Sequence, residues 1–385
     1  MASSRSHLVI VNQASNYLTV GFANAFRQRF ERVTLMTGSV HVQGEELRSD
    51  IDISPIPQWR DAPTLAKAWS YGIGLLVIWL RLLLQFRRAE VLFVSVPPMA
   101  YLLSLLLPNR CSVVVWDVYP DAFKIAGMGE RRWLFRFWAA LNRRVFPRMH
   151  RVYTISPAMA DLVARYVDRS SLTILPIWSI FQRNERVPPD QNEFIKDHGL
   201  AGKFVVQYSG NIGLSHNTEL LLELAERLLD EKDIVFQIIG RGPRKARMQG
   251  LVEQKGLANV MFLPFQSDER FPLSLSAADL GVVLLDARVS KGSVPSKAYN
   301  LMSFGIPSLY VVAEDSELAN YASRYGHALV FQPHLLDEMA EAICRLARDP
   351  ARVKRMAQFS ELASRDFRRE NADRFVAAYF ADAKP

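Results

Sequence analysis

The stretch FVVQYSGNIGLSHNTELLLELAERLLDEKDIVFQIIGRGP, from Phe204 to Pro243, decides how the second half of this chain folds. It begins with an apolar run at 204–208, continues with helical spacing over 217–231, and returns to an apolar run at 234–239. Apolar runs separated by about 10–15 residues of helical pattern predict parallel βαβ units with right-handed crossovers. The stretch therefore predicts a parallel α/β domain.

The same alternation extends over most of the chain. It continues after Pro243 to Phe331, and a looser version covers the first half from Leu8 to Leu175. A chain of 385 residues is expected to form two domains, and the polar, proline-containing segment Gln182–Gln191 is predicted to link them. We therefore predict two α/β domains with parallel sheets facing a central cleft, with ligands at the carboxyl ends of the strands.

Charge and cysteine content limit the classes of ligand and the cellular setting that we expect. The net charge of +8 favours anionic partners such as nucleotide phosphates or lipid headgroups, but there is no long basic run, so we predict no nucleic acid partner. Cys111 and Cys344 lack metal-ligand spacing and cannot form a disulfide framework. We therefore expect no metal site and a reduced, cytoplasmic setting. The polar residues Met1–His7 do not resemble a signal peptide.

One apolar segment bears on membranes. Trp69–Phe86 is apolar almost all round and is followed by Arg87 and Arg88, but Arg81 interrupts it after twelve residues. A membrane-spanning helix needs about 20 apolar residues. Two interpretations remain open: a core helix of the first domain, or a helix on the membrane surface, held there by the arginines and nearby tryptophans.

Three turns at the predicted carboxyl ends of strands are suited to phosphate: Ser209–Gly213, Gly240–Pro243 and Ser293–Lys297. Glycines in the first two let backbone N–H groups approach an oxyanion closely. The second turn precedes a predicted helix, and the third contains the start of another, which is predicted to begin at Pro295. The amino terminus of a helix favours negative charge. The Lys297 side chain adds a cation. Together the turns predict a site for a phosphate-bearing ligand.

The first half offers a second group of candidates. Asp117 and Asp121 follow a predicted strand, where a carboxylate can bind a hydroxyl or accept a proton. Asn16 and Tyr17 follow the first strand and would face the same cleft. A structural role in capping a helix is the alternative for such polar residues.

Several motifs together resemble a known family. YSGNIG at 208–213, IIGRGP at 238–243, NVMFLPF at 259–265 and SVPSKAYNLMSFGIPSL at 293–309 resemble the carboxyl-terminal half of GT-B glycosyltransferases. The resemblance is to the retaining group 1, GT4-like branch that builds bacterial cell-surface polysaccharides. WDVYPD at 116–121 and RVYTISPAMADLV at 151–163 resemble the first domain of that branch more loosely.

The resemblance implies two Rossmann-like domains: an acceptor-binding domain at 1–180 and a donor-binding domain at 190–365. A final helix at 366–385 would pack back on the first domain. It also implies metal-independent, cofactor-free hexosyl transfer with retention of configuration, from a UDP- or GDP-linked sugar to an acceptor hydroxyl. Because of the apolar segment at 69–86, we expect a lipid-linked saccharide acceptor and a peripheral position on the inner face of the cell membrane.

Site residues follow by position from the same resemblance. The donor would contact Gly210, Asn211, Gly213, Gly240, Arg241, Gly242, Pro264, Phe265, Ser293, Val294, Pro295, Ser296, Lys297 and Asn300. Asn16 and Tyr17 would contact the acceptor, and the candidate catalytic residues are Asp117, Asp121 and Lys297.

The chain also departs from the family. Gly292 and Asn300 stand where two glutamates eight residues apart are usual, and Asn211 and His216 replace the usual Arg and Lys of the first loop. An NDP-sugar epimerase of the same fold and a non-catalytic protein that binds nucleotide-sugar therefore remain alternatives.

Overall fold

The computed structural model describes residues 5–59, 64–94, 96–182, 186–213 and 217–381. The chain divides into two compact units, Met1–Ile180 with Arg369–Pro385, and Phe181–Arg368. Residues 1–4 of the amino-terminal segment, residues 183–185 of the proposed linker, and His216 lie outside the described residues. Each unit is an α/β domain built on a parallel sheet.

The strands of the first unit are β1 Arg5–Val11, β2 Ala14–Ser15, β3 Phe30–Thr37, β4 Ser39–Val40, β5 Asp52–Pro55, β6 Glu90–Val94, β7 Cys111–Val115, β8 Val152–Thr154 and β9 Leu172–Ile174. Its helices are α1 Tyr17–Phe26, α2 Thr64–Leu84, α3 Trp133–Val145 and α4 Pro157–Val163, with 3-10 helices at Ala100–Leu106, Asp121–Ala126, Phe146–Arg148 and Arg169–Ser171.

The strands of the second unit are β10 Phe204–Asn211, β11 Ile234–Arg241, β12 Val260–Leu263, β13 Leu280–Leu284, β14 Ser308–Val311 and β15 Ala328–Phe331. Its helices are α5 Glu193–Asp197, α6 Leu220–Arg227, α7 Lys245–Lys255, α8 Phe271–Ser276, α9 Lys297–Ser303, α10 Glu317–Tyr325, α11 Leu336–Ala347 and α12 Pro350–Ser364. The last helix, α13 Asn371–Phe380, returns to the first unit.

The main sheet of the first unit has the order β5-β3-β1-β6-β7-β8-β9, with every neighbouring pair parallel. Its central strands are apolar and fully buried, as in Leu8–Val11 of β1 and Val91–Val94 of β6, because helices cover both faces. Edge strand β5 and the small pair β2 and β4 were not predicted from the sequence. These strands are short and half exposed, and they lack the apolar runs on which strand prediction depends.

Helix α1 is longer at its start and shorter at its end than the sequence pattern indicated. The sequence has helical spacing over 20–30, but α1 spans Tyr17–Phe26, because Asn16 caps it and β3 already begins at Phe30. The Asn16 side chain accepts hydrogen bonds from the backbone N–H groups of Leu18 (3.1 Å) and Thr19 (3.4 Å). The cap satisfies donors that the first turn of a helix otherwise leaves free.

Helix α2, which contains most of the apolar segment, is buried on one side and exposed on the other. Ile78 and Leu82 are fully buried, while a stripe at helical spacing is exposed: Trp69, Ile73, Leu76, Leu80 and Leu84. Arg81 donates to Ser54 Oγ at 2.7 Å, so it ties α2 to β5. Within the described residues, no helix is long and apolar enough to cross a membrane.

Helix α13 is fixed to the first unit by aromatic and polar contacts. Phe375 meets Phe22 edge-on at 4.8 Å between ring centroids, and the Tyr379 hydroxyl donates to Glu90 Oε2 at 2.6 Å. Just before the helix, the Arg369 guanidinium forms two hydrogen bonds with the Glu45 carboxylate, at 2.5 and 2.9 Å. The chain therefore finishes as part of the unit in which it began.

The sheet of the second unit has the order β12-β11-β10-β13-β14-β15. Strand β10 is the first in sequence and lies between β11 and β13. The chain adds β11 and β12 on one side of β10 and then crosses over to add β13, β14 and β15 on the other side. At such a switch point, the loops after neighbouring strands separate and leave a crevice at the carboxyl ends. The first two predicted phosphate turns overlap the ends of β10 and β11, because these strands continue to Asn211 and Arg241, beyond the apolar runs that end at 208 and 239, and the third turn follows β13. All three therefore lie at this edge.

Candidate functional site

The carboxyl ends of β10 and β11 and the loops that follow them are in backbone contact. Only glycine permits this contact at positions 240 and 242. Gly210 pairs with Gly240 in the parallel register, and both have strongly positive φ angles, 144° and 152°. A Cβ atom on Gly240 would lie 1.9 Å from the Gly210 carbonyl oxygen, and one on Gly242 would lie 2.3 Å from that of Ile212. The Ile212 amide donates to the Arg241 carbonyl at 2.8 Å. The two loops thus form one close-packed surface at the switch point.

Lys245 stabilises this surface from the start of α7. Its Nζ donates to the carbonyl oxygens of Gly240 (3.0 Å) and Leu263 (2.9 Å). The lysine stands where a dinucleotide-binding fingerprint would have its third glycine, and here it fixes the loop after β11 to the end of β12. This role could not be predicted from the sequence, because both acceptors are backbone atoms whose direction depends on the fold.

The side-chain amine of Lys297 is buried beside the first glycine turn, although the residue as a whole is only half-buried. It is the first residue of α9, and its Nζ lies 3.8 Å from the centre of the Tyr208 ring. A Cβ atom on Gly210 would lie 3.0 Å from that Nζ, so the glycine leaves room for the amine. Within the described residues the Nζ has no hydrogen-bond partner.

The burial of Lys297 changes its chemistry. Desolvation lowers the pKa of the amine from 10.5 to about 7, with no charged side chain acting on it, because a low-dielectric surrounding disfavours the charged form. A buried amine without an acceptor costs free energy unless a ligand supplies one. The site therefore favours an anion that approaches the Gly210 turn.

A small cavity of about 20 Å³ joins Lys297 to other polar groups at the ends of β10 and α9. Its lining includes Gln207 and Ser209 of β10 and Asn300, one helical turn after Lys297. The Gln207 amide donates to Gln237 Oε1 at 2.7 Å inside the core. Asn300 therefore lies where its amide can meet a group held by Lys297.

The segment before α9 is arranged differently from the prediction. The helix begins at Lys297 and not at Pro295, and the Ser296 side chain makes no capping hydrogen bond. The amides of Ala298 and Tyr299 donate to the Pro295 and Ser296 carbonyls at 3.1 Å each. Any backbone contribution to anion binding must then come from residues before Ala298. Ser293 is half-buried, and Val294 is buried.

The residues predicted to border the nucleotide lie on the surface of the second unit. The Arg241 guanidinium lies 5.4 Å from the centre of the Phe265 ring, and both side chains are exposed. Pro264 accepts a hydrogen bond from the Gln266 amide at 2.8 Å. A cation over an exposed ring forms a platform on which a planar base can stack.

A larger cavity, of about 240 Å³, lies at the carboxyl ends of β13 and β14. Its cationic groups are Arg244 and Arg288. Arg288 is paired with Asp286 through hydrogen bonds of 2.8 and 2.7 Å, which hold the pKa of that carboxyl below its usual range. Arg244 lies 3.8 Å from Glu219. Because its arginines already have counter-ions, this cavity attracts an anion less than Lys297 does.

The candidates of the first unit have structural partners. Asp121 is 4% exposed and forms ion pairs with Lys124 at 2.7 Å and Arg165 at 3.4 Å. Asn16 caps α1. The Tyr17 hydroxyl donates to the Trp178 carbonyl at 3.0 Å, and burial raises its pKa.

Asp117 is half-buried just after β7 and borders a small cavity with Tyr101 and Tyr119. Burial, and secondarily the Asp117 charge, raise the pKa of Tyr119. Of the two aspartates, Asp117 is the more exposed, because it is half-buried whereas Asp121 is 4% exposed. Within the described residues, no group of three or more His, Cys, Asp and Glu side chains could hold a metal ion.

Comparison with known proteins finds a family model that matches the second half of the chain. Residues 190–364 match the model described as "Glycosyl transferases group 1". The chain is 27% identical over 249 residues to the putative colanic acid biosynthesis glycosyl transferase WcaI of Escherichia coli; the match covers 63% of this chain and 61% of that relative. The aligned region thus spans about three fifths of the relative's length.

Two solved structures show the fold. Sucrose-phosphate synthase from Thermosynechococcus elongatus superposes with a TM-score of 0.75 and 14% identity, over 97% of this chain and 98% of that one. HepE from Anabaena, in complex with UDP and glucose, superposes with a TM-score of 0.72 and 13% identity, over 97% and 99%.

Proposed function

Because this chain belongs to the group 1 glycosyl transferases through residues 190–364 and has the GT-B fold, we propose that it transfers a sugar from a nucleoside diphosphate sugar to an acceptor hydroxyl. The bond between the anomeric carbon and the diphosphate breaks, and its electron pair leaves with the nucleoside diphosphate. The acceptor oxygen bonds to the anomeric carbon, and its proton passes to the departing diphosphate or to Asp117.

The observation that carries the proposal is the buried Lys297 amine beside the glycine turn. Charge develops on the diphosphate as the sugar leaves, and a preorganised donor in a dry site stabilises that charge far better than one in water. The Nζ of Lys297 has no acceptor within the described residues. The glycines at 210, 240 and 242 leave the backbone bare for a close approach. The donor diphosphate would therefore lie against Lys297 and the Gly210 turn.

The finer features of the reaction are also proposals. We propose hexosyl transfer with retention of configuration and without a metal ion, so that backbone N–H groups and Lys297 carry the leaving-group charge. Asn300 would bind a sugar hydroxyl by its amide. Arg241 and Phe265 would border the base. Uracil is supported by the UDP in the HepE complex, whose fold this chain shares.

For the acceptor, we propose a lipid-linked saccharide of surface-polysaccharide synthesis, met on the cytoplasmic face of the membrane. The name of the WcaI relative, with its colanic acid pathway, supports the class of product. The exposed apolar stripe of α2, from Trp69 to Leu84, supports contact with a bilayer. Flotation with phospholipid vesicles tests this: Leu76→Ser should lower binding roughly tenfold. A matched change on α12, Leu362→Ser, should leave it unaltered; these leucines are 54% and 51% exposed.

The transferase proposal is tested with a panel of UDP- and GDP-sugars. Ligands that bind only the folded protein raise its melting temperature, and the productive donor should also release free sugar slowly when no acceptor is present. Lys297→Met should weaken donor binding roughly 10- to 100-fold, the effect of losing a charged hydrogen bond. Lys354→Met, on an exposed lysine of α12, serves as the control.

Two results would contradict the proposal. Conversion of the donor into an epimeric nucleotide-sugar would show an epimerase of the same fold. Tight nucleotide-sugar binding, with neither hydrolysis nor transfer to any acceptor, would show a binding protein without catalysis.

A further inference from the structure

Helix α3 of the first unit exposes large apolar side chains that the proposed transfer reaction does not use. Trp133, Leu134 and Phe137 are 72%, 45% and 57% exposed. Trp133 and Phe137 are four residues apart, so their side chains lie on the same face of the helix. An exposed tryptophan beside an exposed phenylalanine is costly in water and marks a surface that is covered in use.

The same surface is strongly basic. The segment 131–151 contains seven arginines and no acidic residue. Within the described part of the chain, six exposed arginines of this segment form no ion pair: Arg131, Arg132, Arg136, Arg143, Arg144 and Arg148. Arg136 and Arg144 follow Trp133 at helical spacing, so cations and aromatic rings share one face.

The opposite side of α3 is anchored in the core, which makes this face a fixed platform. Trp138 stacks on Tyr119 with ring centroids 5.6 Å apart, and its indole N–H donates to the Tyr101 hydroxyl at 3.0 Å. That hydroxyl donates in turn to Asn142 Oδ1 at 2.8 Å. The exposed side chains are thus held out from a helix that is itself well fixed.

We propose that this α3 surface, formed by the exposed side chains of Arg131–Arg144, docks onto a phospholipid bilayer rich in anionic headgroups. Tryptophan and phenylalanine insert at the boundary between headgroups and acyl chains, while arginines pair with lipid phosphates and with the negative surface. The segment itself contains no acidic residue, and the exposed Glu130 just before it is paired with Lys124 at 2.7 Å and Arg165 at 3.6 Å, so little negative charge repels an anionic bilayer. The inference deepens the membrane contact of the proposed function by assigning it a charge preference, and vesicle binding tests it without any sugar transfer.

The surface is connected to the apolar stripe of α2. The 3-10 helix Ala100–Leu106 packs against both α2 and α3, and its last residue, Leu106, is 64% exposed. Exposed apolar side chains therefore occur on three adjoining elements of one unit. We assign to α2 the apolar part of the attachment and to α3 the part that distinguishes anionic from zwitterionic lipid.

The test is flotation of the full chain with vesicles of phosphatidylcholine alone and with vesicles containing an equal part of phosphatidylglycerol. The protein should bind the mixed vesicles much more tightly than the neutral ones, and added salt should weaken the binding. Each arginine near an anionic surface contributes about a fivefold gain in affinity. Arg136→Glu with Arg144→Glu should therefore lower binding to mixed vesicles at least about 25-fold.

Matched controls separate charge at α3 from net charge and from misfolding. Arg355→Glu with Arg365→Glu makes the same charge change on exposed arginines of α12 and its cap, and should leave vesicle binding within about twofold. Trp133→Ser with Phe137→Ser should weaken binding while preserving its salt dependence. All variants should keep the wild-type melting temperature within a few degrees, because each changed side chain is exposed.

Three outcomes would overturn the inference. Equal binding to neutral and anionic vesicles would remove the charge preference. Unaltered binding of the α3 double arginine variant would assign the attachment to α2 alone. Failure to bind vesicles, with tight binding of duplex DNA or RNA that the same variant abolishes, would make the surface a nucleic acid site. None of these outcomes depends on whether the donor or the acceptor of the transferase proposal is correct.

Discussion

Replacing Lys297 by methionine should stabilise the ligand-free protein at neutral pH, and the gain should shrink as pH rises. Burial lowers the pKa of this amine from 10.5 to about 7. Between those values the unfolded chain binds a proton that the folded chain does not, so the stability of the wild type increases with pH. Lys297→Met has no amine to titrate and lacks this dependence.

The magnitude follows from the size of the shift. A difference of about 3.5 pKa units corresponds to about 5 kcal/mol over the whole range, at about 1.4 kcal/mol per unit. Between pH 7 and pH 9 the wild type should gain about 2 kcal/mol relative to the variant. For a domain of this size, that moves the difference between their melting temperatures by roughly 4–8 °C.

The affinity for a nucleoside diphosphate should depend on pH for the same reason. An anion at the Nζ favours the charged amine, so binding of a nucleoside diphosphate should take up a proton at Lys297. Titration calorimetry with UDP and with GDP, between pH 7 and pH 9, should show affinity falling by up to about tenfold per pH unit in the wild type. Lys297→Met should bind more weakly and with little pH dependence.

Differential scanning calorimetry across that pH range is the primary measurement, with Lys354→Met as the control whose difference from wild type should stay constant. The reasoning would be refuted if the difference in melting temperature between the wild type and Lys297→Met did not change with pH. It would mean that the amine is either solvated or already paired, and that the site has no unbalanced donor for a phosphate.

Three further changes test other parts of the structure. Gly240→Ala should destabilise the second unit by about 3 kcal/mol or more in urea unfolding and abolish nucleotide binding, because its Cβ would lie 1.9 Å from a carbonyl oxygen. As a control, Gly250→Ala, inside α7 and with open space around it, should raise the free energy of unfolding by about 0.5–1 kcal/mol. Asp121→Asn should lower the melting temperature by breaking a buried ion pair, whereas Asp117→Asn should lower kcat if Asp117 accepts the acceptor proton. Asn300→Glu should raise the pKa of Lys297 by placing a carboxylate one turn away, and the pH dependence of stability should diminish accordingly.

The fold of the second unit could be predicted because its strands are buried on both faces. Runs such as FVVQY and IVFQII are then apolar throughout, and the glycine turns mark their carboxyl ends. The first unit was harder to predict, because its edge strand β5 has one buried residue in four. A strand stabilised mainly by pairing to β3 leaves little trace in the local pattern.

The site residues divide in the same way. The sequence predicts Gly210, Gly240 and Lys297 as site residues because of their chemistry and their place near strand ends, and their binding role stays a prediction. The partners that determine their behaviour could not be predicted. Tyr208 lies under the Lys297 amine, and Lys245 holds the loop after β11. These contacts depend on the sheet order and on where helices begin, which only the assembled fold determines.

Asp121 shows the same limit for a candidate catalytic residue. A carboxylate at the carboxyl end of a strand has the position expected of a base, but one of its ion-pair partners, Arg165, is 44 residues away in the sequence. Asp117, four residues earlier in the chain, is the aspartate that remains half-exposed. Which of two nearby acids can reach a substrate is therefore decided by partners that no local motif contains.

The departures from the family and the state of Lys297 are parts of one electrostatic arrangement. With glycine at 292 and asparagine at 300, neither of the positions at which the family resemblance implies a glutamate supplies a negative charge, and the pKa of Lys297 is lowered by desolvation alone. A glutamate at 300 would favour the charged amine before any ligand arrived. Under the proposed function, the diphosphate itself would supply the anion that charges the amine, so the full positive charge would develop only when a donor is bound. Electrostatic stabilisation of the leaving group would then be coupled to occupancy of the site.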